Sequence, residues 1–131
     1  MALRLYHDAG ATQEITEETP DTVHMAVAVG QTLVDERPIY VLSDDPGLTY
    51  EAVSIEGVGD VDGASQSGQV DVLYALDTGG SPGTYVQTLT LPNGDYATPY
   101  KVWRKVTSPN VQQAFNVTTI QHQLSWHEYA K

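Results

Sequence analysis

The sequence predicts an all-β fold, and three features of the 131-residue chain lead to that prediction. Apolar residues alternate with polar ones at a period of two, as at Val53 and Ile55 in the segment from Thr49 to Ile55. Good helix formers dominate no window of a dozen residues. Clusters of Gly, Pro, Asp and Ser separate the alternating segments at short intervals. Several short strands with this spacing are typical of a sandwich or a barrel.

The alternation predicts eight strands, each with one face toward a core. They are Leu3 to His7, Val23 to Val29, Pro38 to Leu42, Tyr50 to Ile55, Val70 to Leu76, Tyr85 to Leu91, Tyr100 to Thr107 and Thr119 to Tyr129. In the last strand, Ile120, His122, Leu124 and Trp126 share the inward side. The residues between them, such as Gln123 and His127, are expected to face water.

Turn-forming residues fill the predicted connections. These are a turn at Asp44 to Gly47, a long loop at Gly57 to Gly68, a tip at Thr78 to Gly83 and a tight Asn-Gly turn at Pro92 to Asp95. The length fits one domain, residues 1–131. Within it, we expect Ala9 to Asp21 to form an extended arm outside the core, because Ile15 is its only large apolar residue.

Composition limits the partners and the chemistry. The formal net charge is −11, and most of the carboxylates precede Ser67. Such acidity argues against nucleic acid or an anionic membrane as a partner and suits a basic surface or a high-salt environment. The chain contains no cysteine, so it has no disulfide or thiolate site. We find no signal peptide and no apolar run long enough to span a membrane.

The histidines do not form a known metal or catalytic pattern. None of His7, His24, His122 and His127 has the spacing of a zinc motif. His122 and His127 are five residues apart on one strand and would point to opposite faces. The nucleophile motif Gly-x-Ser-x-Gly is absent. The sequence therefore predicts histidines with structural or surface roles, no enzyme activity, no catalytic residue, no metal site and no cofactor.

Other candidate sites have ordinary explanations. Asp60-Val61-Asp62-Gly63 and Asp44-Asp45 could offer oxygens to calcium, but the closing Glu of an EF-hand is absent and turn formation is favoured. Any carboxylate pair suited to glycoside hydrolysis could arise by chance among 17 acidic residues. Eight tyrosines and two tryptophans could form a sugar platform or act as ordinary strand residues. Asn116-Val117-Thr118 is a glycosylation sequon.

The basic residues cluster around Trp103. Lys101, Trp103 and Lys105 share one face of the predicted strand, whereas Arg104 shares the other with Val102 and Val106. If these valines are in the core, Arg104 is buried and needs an acidic partner. We expect the two lysines to protect a sheet edge from strand addition.

Four segments together resemble small immunoglobulin-like virion structural proteins of tailed bacterial and archaeal viruses. They are IYVLSDDPGLTYEAVSIEGVGD, VDVLYALDTGGSPGTYVQTLTLPNGD, TPYKVWRKVTSP and TTIQHQLSWHEYA. The shared elements are an early strand pair around the Asp-Asp turn, a Trp with basic residues shortly before a Pro, and a closing strand. The resemblance covers roughly Asp35 to Tyr129 and includes no catalytic signature.

The resemblance implies a single immunoglobulin-like antiparallel β-sandwich and a function in the virion. We expect a non-enzymatic protein that decorates or stabilises a capsid, assembled in the host cytoplasm and present in the virion. Its partners would be the major capsid protein or other virion proteins. It would form a homo-oligomer or be present in many copies on a lattice. The alternatives are a tail-associated structural protein and a carbohydrate-binding or adhesion module.

Overall fold

The computed structural model describes residues 3–16, 18–27, 33–60, 71–108 and 115–131. At 23–27, 33, 58–60, 108 and 115–119 it describes the backbone alone. The described part contains eight strands and no helix. They are β1 (Leu3–Tyr6), β2 (Asp21–Val27), β3 (Leu33–Ser43), β4 (Leu48–Asp60), β5 (Asp71–Leu76), β6 (Thr88–Thr90), β7 (Tyr100–Ser108) and β8 (Phe115–Ala130).

The strands form two antiparallel sheets of four strands each, as in a β-sandwich. Sheet A has the order β1-β3-β7-β5, and sheet B has the order β2-β8-β4-β6. The all-β prediction is therefore confirmed, and each predicted strand overlaps one observed strand. The finer immunoglobulin-like prediction is not confirmed. Immunoglobulin sheets pair some consecutive strands, whereas consecutive strands of the described part always lie in different sheets.

The core lies between the sheets and is built from the inward positions of both. Ile39 and Val41 of β3 and Val53 and Ile55 of β4 are fully buried, as the alternation predicts. Tyr50 packs edge-to-face on Tyr96, with ring centroids 6.2 Å apart, and on Trp126, at 6.5 Å. Such burial is the main stabilising contribution, at about 25 cal/mol per Å² of apolar surface.

The segment from Ala9 to Asp21 is not an extended arm, and this prediction is corrected. The segment folds back along β1, where the Ile15 amide donates to the Leu5 carbonyl at 2.9 Å and Glu14 pairs with Tyr6. The Ile15 side chain packs against the core. Asp21 begins β2 and is fully buried. One apolar residue was enough to dock the segment, because backbone hydrogen bonds to β1 add to its burial.

Two other predictions that were based on glycine, the loop from Gly57 and the tight turn at Asn93-Gly94, are wrong. β4 continues through Gly57 to Asp60 instead of ending before a loop, and residues 61–68 of that predicted loop lie outside the described part. A glycine fits this strand position because Val72 of the facing sheet occupies the place of a side chain: a Cβ on Gly57 would lie 2.6 Å from the Val72 Cβ. Asn93-Gly94 forms no tight turn, because Gly94 lies alongside β4 and forms an antiparallel β-bridge with Tyr50 of that strand.

The other two connections match the predictions. Asp45 closes the turn at Asp44 to Gly47 by accepting a 2.8 Å hydrogen bond from the Gly47 amide. At the tip, Gly79 and Gly80 have φ angles of 74° and 101°, which glycine adopts without strain. The turn at Asp44 leads from sheet A to sheet B, so it joins strands that do not pair.

Candidate functional site: a charge cluster between the sheets

Arg104 is the only fully buried Lys or Arg side chain of the described part, and its position follows from the strand pattern. Val102 and Val106 on the same face of β7 are fully buried, so Arg104 between them points into the sandwich. β7 lies between β3 and β5, which places Arg37 and Tyr74 directly beside Arg104. The conditional prediction that a buried Arg104 needs an acidic partner is confirmed.

Two carboxylates supply that partner. Arg104 Nε donates to Asp21 Oδ2 at 2.8 Å and Nη2 donates to Asp21 Oδ1, a bidentate pair with both side chains fully buried. Arg104 Nη1 donates to the Asp35 carbonyl at 2.9 Å and to Asp35 Oδ1 at 2.8 Å. Asp21 belongs to sheet B, whereas Arg104 and Asp35 belong to sheet A. The guanidinium therefore ties the two sheets together.

His122 extends the contact on the sheet B side. Its Nε2 lies 2.6 Å from Asp21 Oδ2, and its side chain is 1% exposed. A carboxylate only accepts, so Nε2 carries a proton and donates it. The other ring nitrogen, Nδ1, shares a short hydrogen bond with the hydroxyl of Tyr74, which is fully buried. We call Asp21, Asp35, Arg37, Tyr74, Arg104 and His122 the inter-sheet cluster.

Charges within the inter-sheet cluster are balanced. Burial of Asp21 favours the neutral acid, but hydrogen bonds from His122 and Arg104 and the Arg104 charge outweigh it and hold the Asp21 pKa far below its usual range. Burial opposes the Arg104 charge, yet its contacts with Asp21 and Asp35 raise the Arg104 pKa. Arg37 supplies a second cation, 3.1 Å from Asp35 Oδ2. Two carboxylates thus meet two guanidinium groups.

The order of hydroxyl, imidazole and carboxylate resembles a hydrolytic triad, with Tyr74 in the place of serine. The electrostatics oppose that role. Burial and the negative charge of Asp21 raise the Tyr74 pKa, whereas an activated nucleophile needs its proton removed easily. Tyr74 is also inaccessible to solvent. The inter-sheet cluster is therefore suited to holding the sheets together.

A surface cleft of about 650 Å³ reaches the inter-sheet cluster at Arg37. The segment between β1 and β2 forms its other side, with lining residues His7, Thr12, Gln13, Glu14, Thr16, Thr19 and Pro20. The Arg37 side chain is 39% exposed, and its Nη1 lies 3.7 Å from Asp21 Oδ1. Among the described residues, Arg37 is the member of the cluster that contacts both solvent in the cleft and the buried carboxylate.

Among the remaining histidines, the structure describes the side chains of His7 and His127. His127 is exposed while His122 is buried, so the prediction of opposite faces is confirmed. His7 Nε2 is 3.1 Å from the Thr19 carbonyl. The side chain of His24 lies outside the described part, as do the side chains of the sequon at 116–118. Within the described ranges, no group of three or more His, Asp or Glu side chains is arranged to hold a metal ion.

The predicted calcium and sugar residues also have local roles. Asp44 Oδ2 pairs with Arg4 at 2.9 Å, Asp45 closes its turn, and residues 61–63 lie outside the described part. Tyr50, Tyr74 and Tyr96 are buried, so these tyrosines serve the core and not a surface platform.

The lysines of β7 do not lie at a sheet edge, and that prediction is corrected, because sheet A places β7 between β3 and β5. Lys101, Trp103 and Lys105 do share the outward face. Lys101 Nζ lies 4.7 Å from the Trp103 ring centroid, and Lys105 Nζ lies 4.9 Å from that of Tyr85. Strand order depends on long-range pairing, which a local pattern does not contain.

Sequence reasoning found Arg104 and missed its five neighbours in the inter-sheet cluster. One available signal was a polar residue at an inward position: His122 shares its side of β8 with Ile120 and Leu124. Asp21 had no such signal, because 83 residues separate it from Arg104 and it was assigned to an arm.

Comparisons with protein-family models, with curated proteins and with solved structures find no significant match. The described residues contain no helix with the length and apolar character needed to cross a membrane.

Proposed function

We propose that this chain is a non-enzymatic structural protein of a tailed virus, which decorates or stabilises the capsid through protein–protein contacts. The observation that carries the proposal is the location of the polar chemistry: the acid, base and hydroxyl groups nearest to a catalytic arrangement are sealed between the sheets. Groups in that position stabilise the sandwich and leave its outer faces for binding. The resemblance of four segments to virion proteins supplies the class of partner.

Acidity supports a protein partner with a basic surface. All six Lys and Arg residues are described, and each makes an ion pair or a cation–π contact within the chain. Exposed Glu51 and Asp71 make no ion pair with another described residue. The outward field is therefore negative, which steers the protein toward basic surfaces.

The carbohydrate-binding alternative receives less support. Trp103, which lies on the outward face of β7, has the Lys101 ammonium over its ring, and its Nε1 donates to Asp77 Oδ1 at 2.9 Å. Trp126 packs against the core. A sugar would have to displace an existing cation–π contact to stack on Trp103.

Quantitative mass spectrometry of particles purified from the virus that encodes the chain tests the proposal. We expect the chain to sediment with the particles at a fixed ratio to the major capsid protein. Its absence from washed particles, together with its presence in the soluble lysate, would refute a virion function. Binding on a glycan array that Trp103→Ala abolishes would instead favour the carbohydrate module.

A further inference from the structure

More than half of β3 has a free edge in the described part of the chain. β3 has 11 residues, but the four-residue β1 pairs with it only at residues 40–43, and β7 lies on its other side. Beside residues 33–39, on the side of β1, the described part places no strand and no backbone hydrogen bond. Exposure agrees with this. Val34 is 51% exposed, and the Arg37 side chain is 39% exposed although it points inward. We call residues 34–38 the open edge.

The two outermost strands of sheet A are covered by other parts of the chain. The Ile15 amide donates to the Leu5 carbonyl on the outer side of β1, and Val86 exchanges two hydrogen bonds of 2.8 Å with Tyr74 on the outer side of β5. Covering an edge in this way prevents another chain from pairing with it. The open edge lacks such a cover in the described part, so it is available as a template for a further strand.

Backbone groups of alternate residues point out of the open edge. The Leu5 carbonyl bonds to Ile15 and therefore points away from β3. The neighbours of Leu5 along β1 thus face β3, where the register places them opposite even-numbered residues. By the same alternation, Val34 and Glu36 each direct an N–H and a C=O outward. Pro38 directs only a carbonyl outward, so a continued β1 would lose a hydrogen bond there.

The surface cleft of about 650 Å³ lies beside the open edge. Arg37 forms one wall of this cleft, and the segment between β1 and β2 forms the other. Residues directly opposite each other on paired strands share a face, so a residue opposite Arg37 on an added strand would point inward, into the cleft. Gln13, Thr16 and Thr19 make the far wall polar. The cleft therefore suits a small polar side chain at that position.

Glu36 determines the charge that the open edge accepts. It is exposed, its Oε2 accepts a hydrogen bond of 2.6 Å from the Tyr85 hydroxyl, and it forms no ion pair with a described residue. Lys105 lies opposite Glu36 on β7, but its ammonium rests over the Tyr85 ring. Arg37, the cation of the open edge, is already paired with Asp35. The open edge thus has an unpaired carboxylate and no unpaired cation.

We infer that the open edge binds an extended segment of a partner protein by strand addition, with a basic residue opposite Glu36 and an apolar residue opposite Val34. Backbone hydrogen bonds supply the affinity, and the alternating side chains supply the specificity. A second copy fits less well. Two open edges paired about Glu36 would place like charges directly opposite each other, and each copy has a net charge of −11. The inference deepens the proposed function, on which it rests only for the partner being a virion protein.

Amide NMR of the nitrogen-15-labelled full-length chain, titrated with synthetic peptides at about 0.15 M salt, tests the inference. The probe is an eight-residue peptide that alternates Val and Thr, with one central Val replaced by Lys. Its addition should shift the Val34 and Glu36 amide signals and slow their exchange with water. The same peptide with Glu in place of Lys should bind about fivefold more weakly, because like charges would then lie opposite each other. N-methylation of the backbone amides that pair with the open edge should abolish binding.

Variants of the chain give the sharper result. Glu36→Lys should reverse the preference, so that the Glu peptide binds about fivefold more tightly than the Lys peptide. Glu51→Lys is the matched control, with the same charge change on sheet B, and should keep the wild-type preference. Val34→Pro removes an N–H of the open edge and should weaken the binding of both peptides. Its thermal unfolding should match that of the wild type, because the lost N–H makes no hydrogen bond within the described part.

Three results would overturn the inference. They are an absence of shifts at Val34 and Glu36 at about 1 mM Lys peptide, an unchanged preference in Glu36→Lys, and self-association of the chain through the same two amides without peptide, which would identify a second copy as the occupant. Because the probes contain no virion protein, failure here would leave the mass-spectrometric test of the proposed function unaffected.

Discussion

Replacing Arg104 with leucine is expected to destabilise the sandwich more than any other single change of a charged residue in the described part. The guanidinium donates four hydrogen bonds, two to the Asp21 carboxylate and two to Asp35. Arg104→Leu leaves both carboxylates without it, and Asp21 is fully buried. Removing one partner of such a pair costs about 3–5 kcal/mol, because the other charge stays buried.

That cost is large for a protein of this size. A loss of 1 kcal/mol lowers the melting temperature of a domain of this length by about 3–5 °C, so Arg104→Leu should lower it by roughly 9–25 °C. Urea unfolding followed by circular dichroism measures the free energy directly. Arg104→Lys keeps the charge but loses the bidentate geometry, and it should fall between wild type and Arg104→Leu.

Lys105→Met is the matched control, because it removes a neighbouring cation from the outward face of the same strand. Its loss should stay within about 1 kcal/mol, the value of an exposed cation–π contact. If Arg104→Leu costs no more than Lys105→Met, the inter-sheet cluster does not stabilise the fold. Asp21→Asn combined with Arg104→Leu should cost less than the sum of the single changes, by about 1 kcal/mol or more.

Three further predictions follow from the packing and the pKa shifts. Gly57→Ala should lower the free energy of unfolding in urea by about 1–3 kcal/mol, because the added Cβ would overlap Val72, and a second change, Val72→Ala, should recover part of that loss. Gly94→Ala is the control and should be nearly neutral, because a Cβ there meets nothing within 4 Å. Equal effects of the two glycine changes would contradict this packing. Ile15→Ala should cost about 1–2 kcal/mol if the segment before β2 is docked, whereas an unchanged stability would restore the extended arm. Burial raises the pKa of Tyr96 to about 12, so the folded state keeps a proton that the unfolded state loses; stability should fall as pH rises from about 10 to 12, and a flat profile in that range would contradict the burial of this hydroxyl.

The sequence alone predicts the strands well, because each strand alternates locally. Val53 and Ile55, or Val102 and Val106, are sufficient to orient their strands, and the inward position of Arg104 follows from its neighbours. The same reasoning failed at Gly57, because glycine is common both in loops and at strand positions where another residue approaches closely. Gly57 in a Gly-rich run indicates a loop, yet it allows the close approach of Val72 from the facing sheet.

The site required information that no local pattern contains. Asp21 meets Arg104 because β2 and β7 lie in facing sheets, and this follows from the strand order of both sheets. The lysines of β7 were placed at an edge for the same reason: the sequence defines a strand but not its neighbours. Ile15 shows a third limit, since a single apolar residue docked a segment that composition assigned to solvent.

The central claim is that the buried side chains of Asp21, Arg104 and His122 are shielded from solvent and hold the two sheets together, with Asp35 and Arg37 balancing the charge beside the cleft. Nitrogen-15 NMR of the side-chain Arg104 Nε–H and His122 Nε2–H at neutral pH tests it most directly. We predict both protons to be observable, to exchange slowly with water, and to show His122 protonated at Nε2, where it faces Asp21 Oδ2. Exchange as fast as that of the exposed Arg4 guanidinium would show an open cluster and would contradict the account.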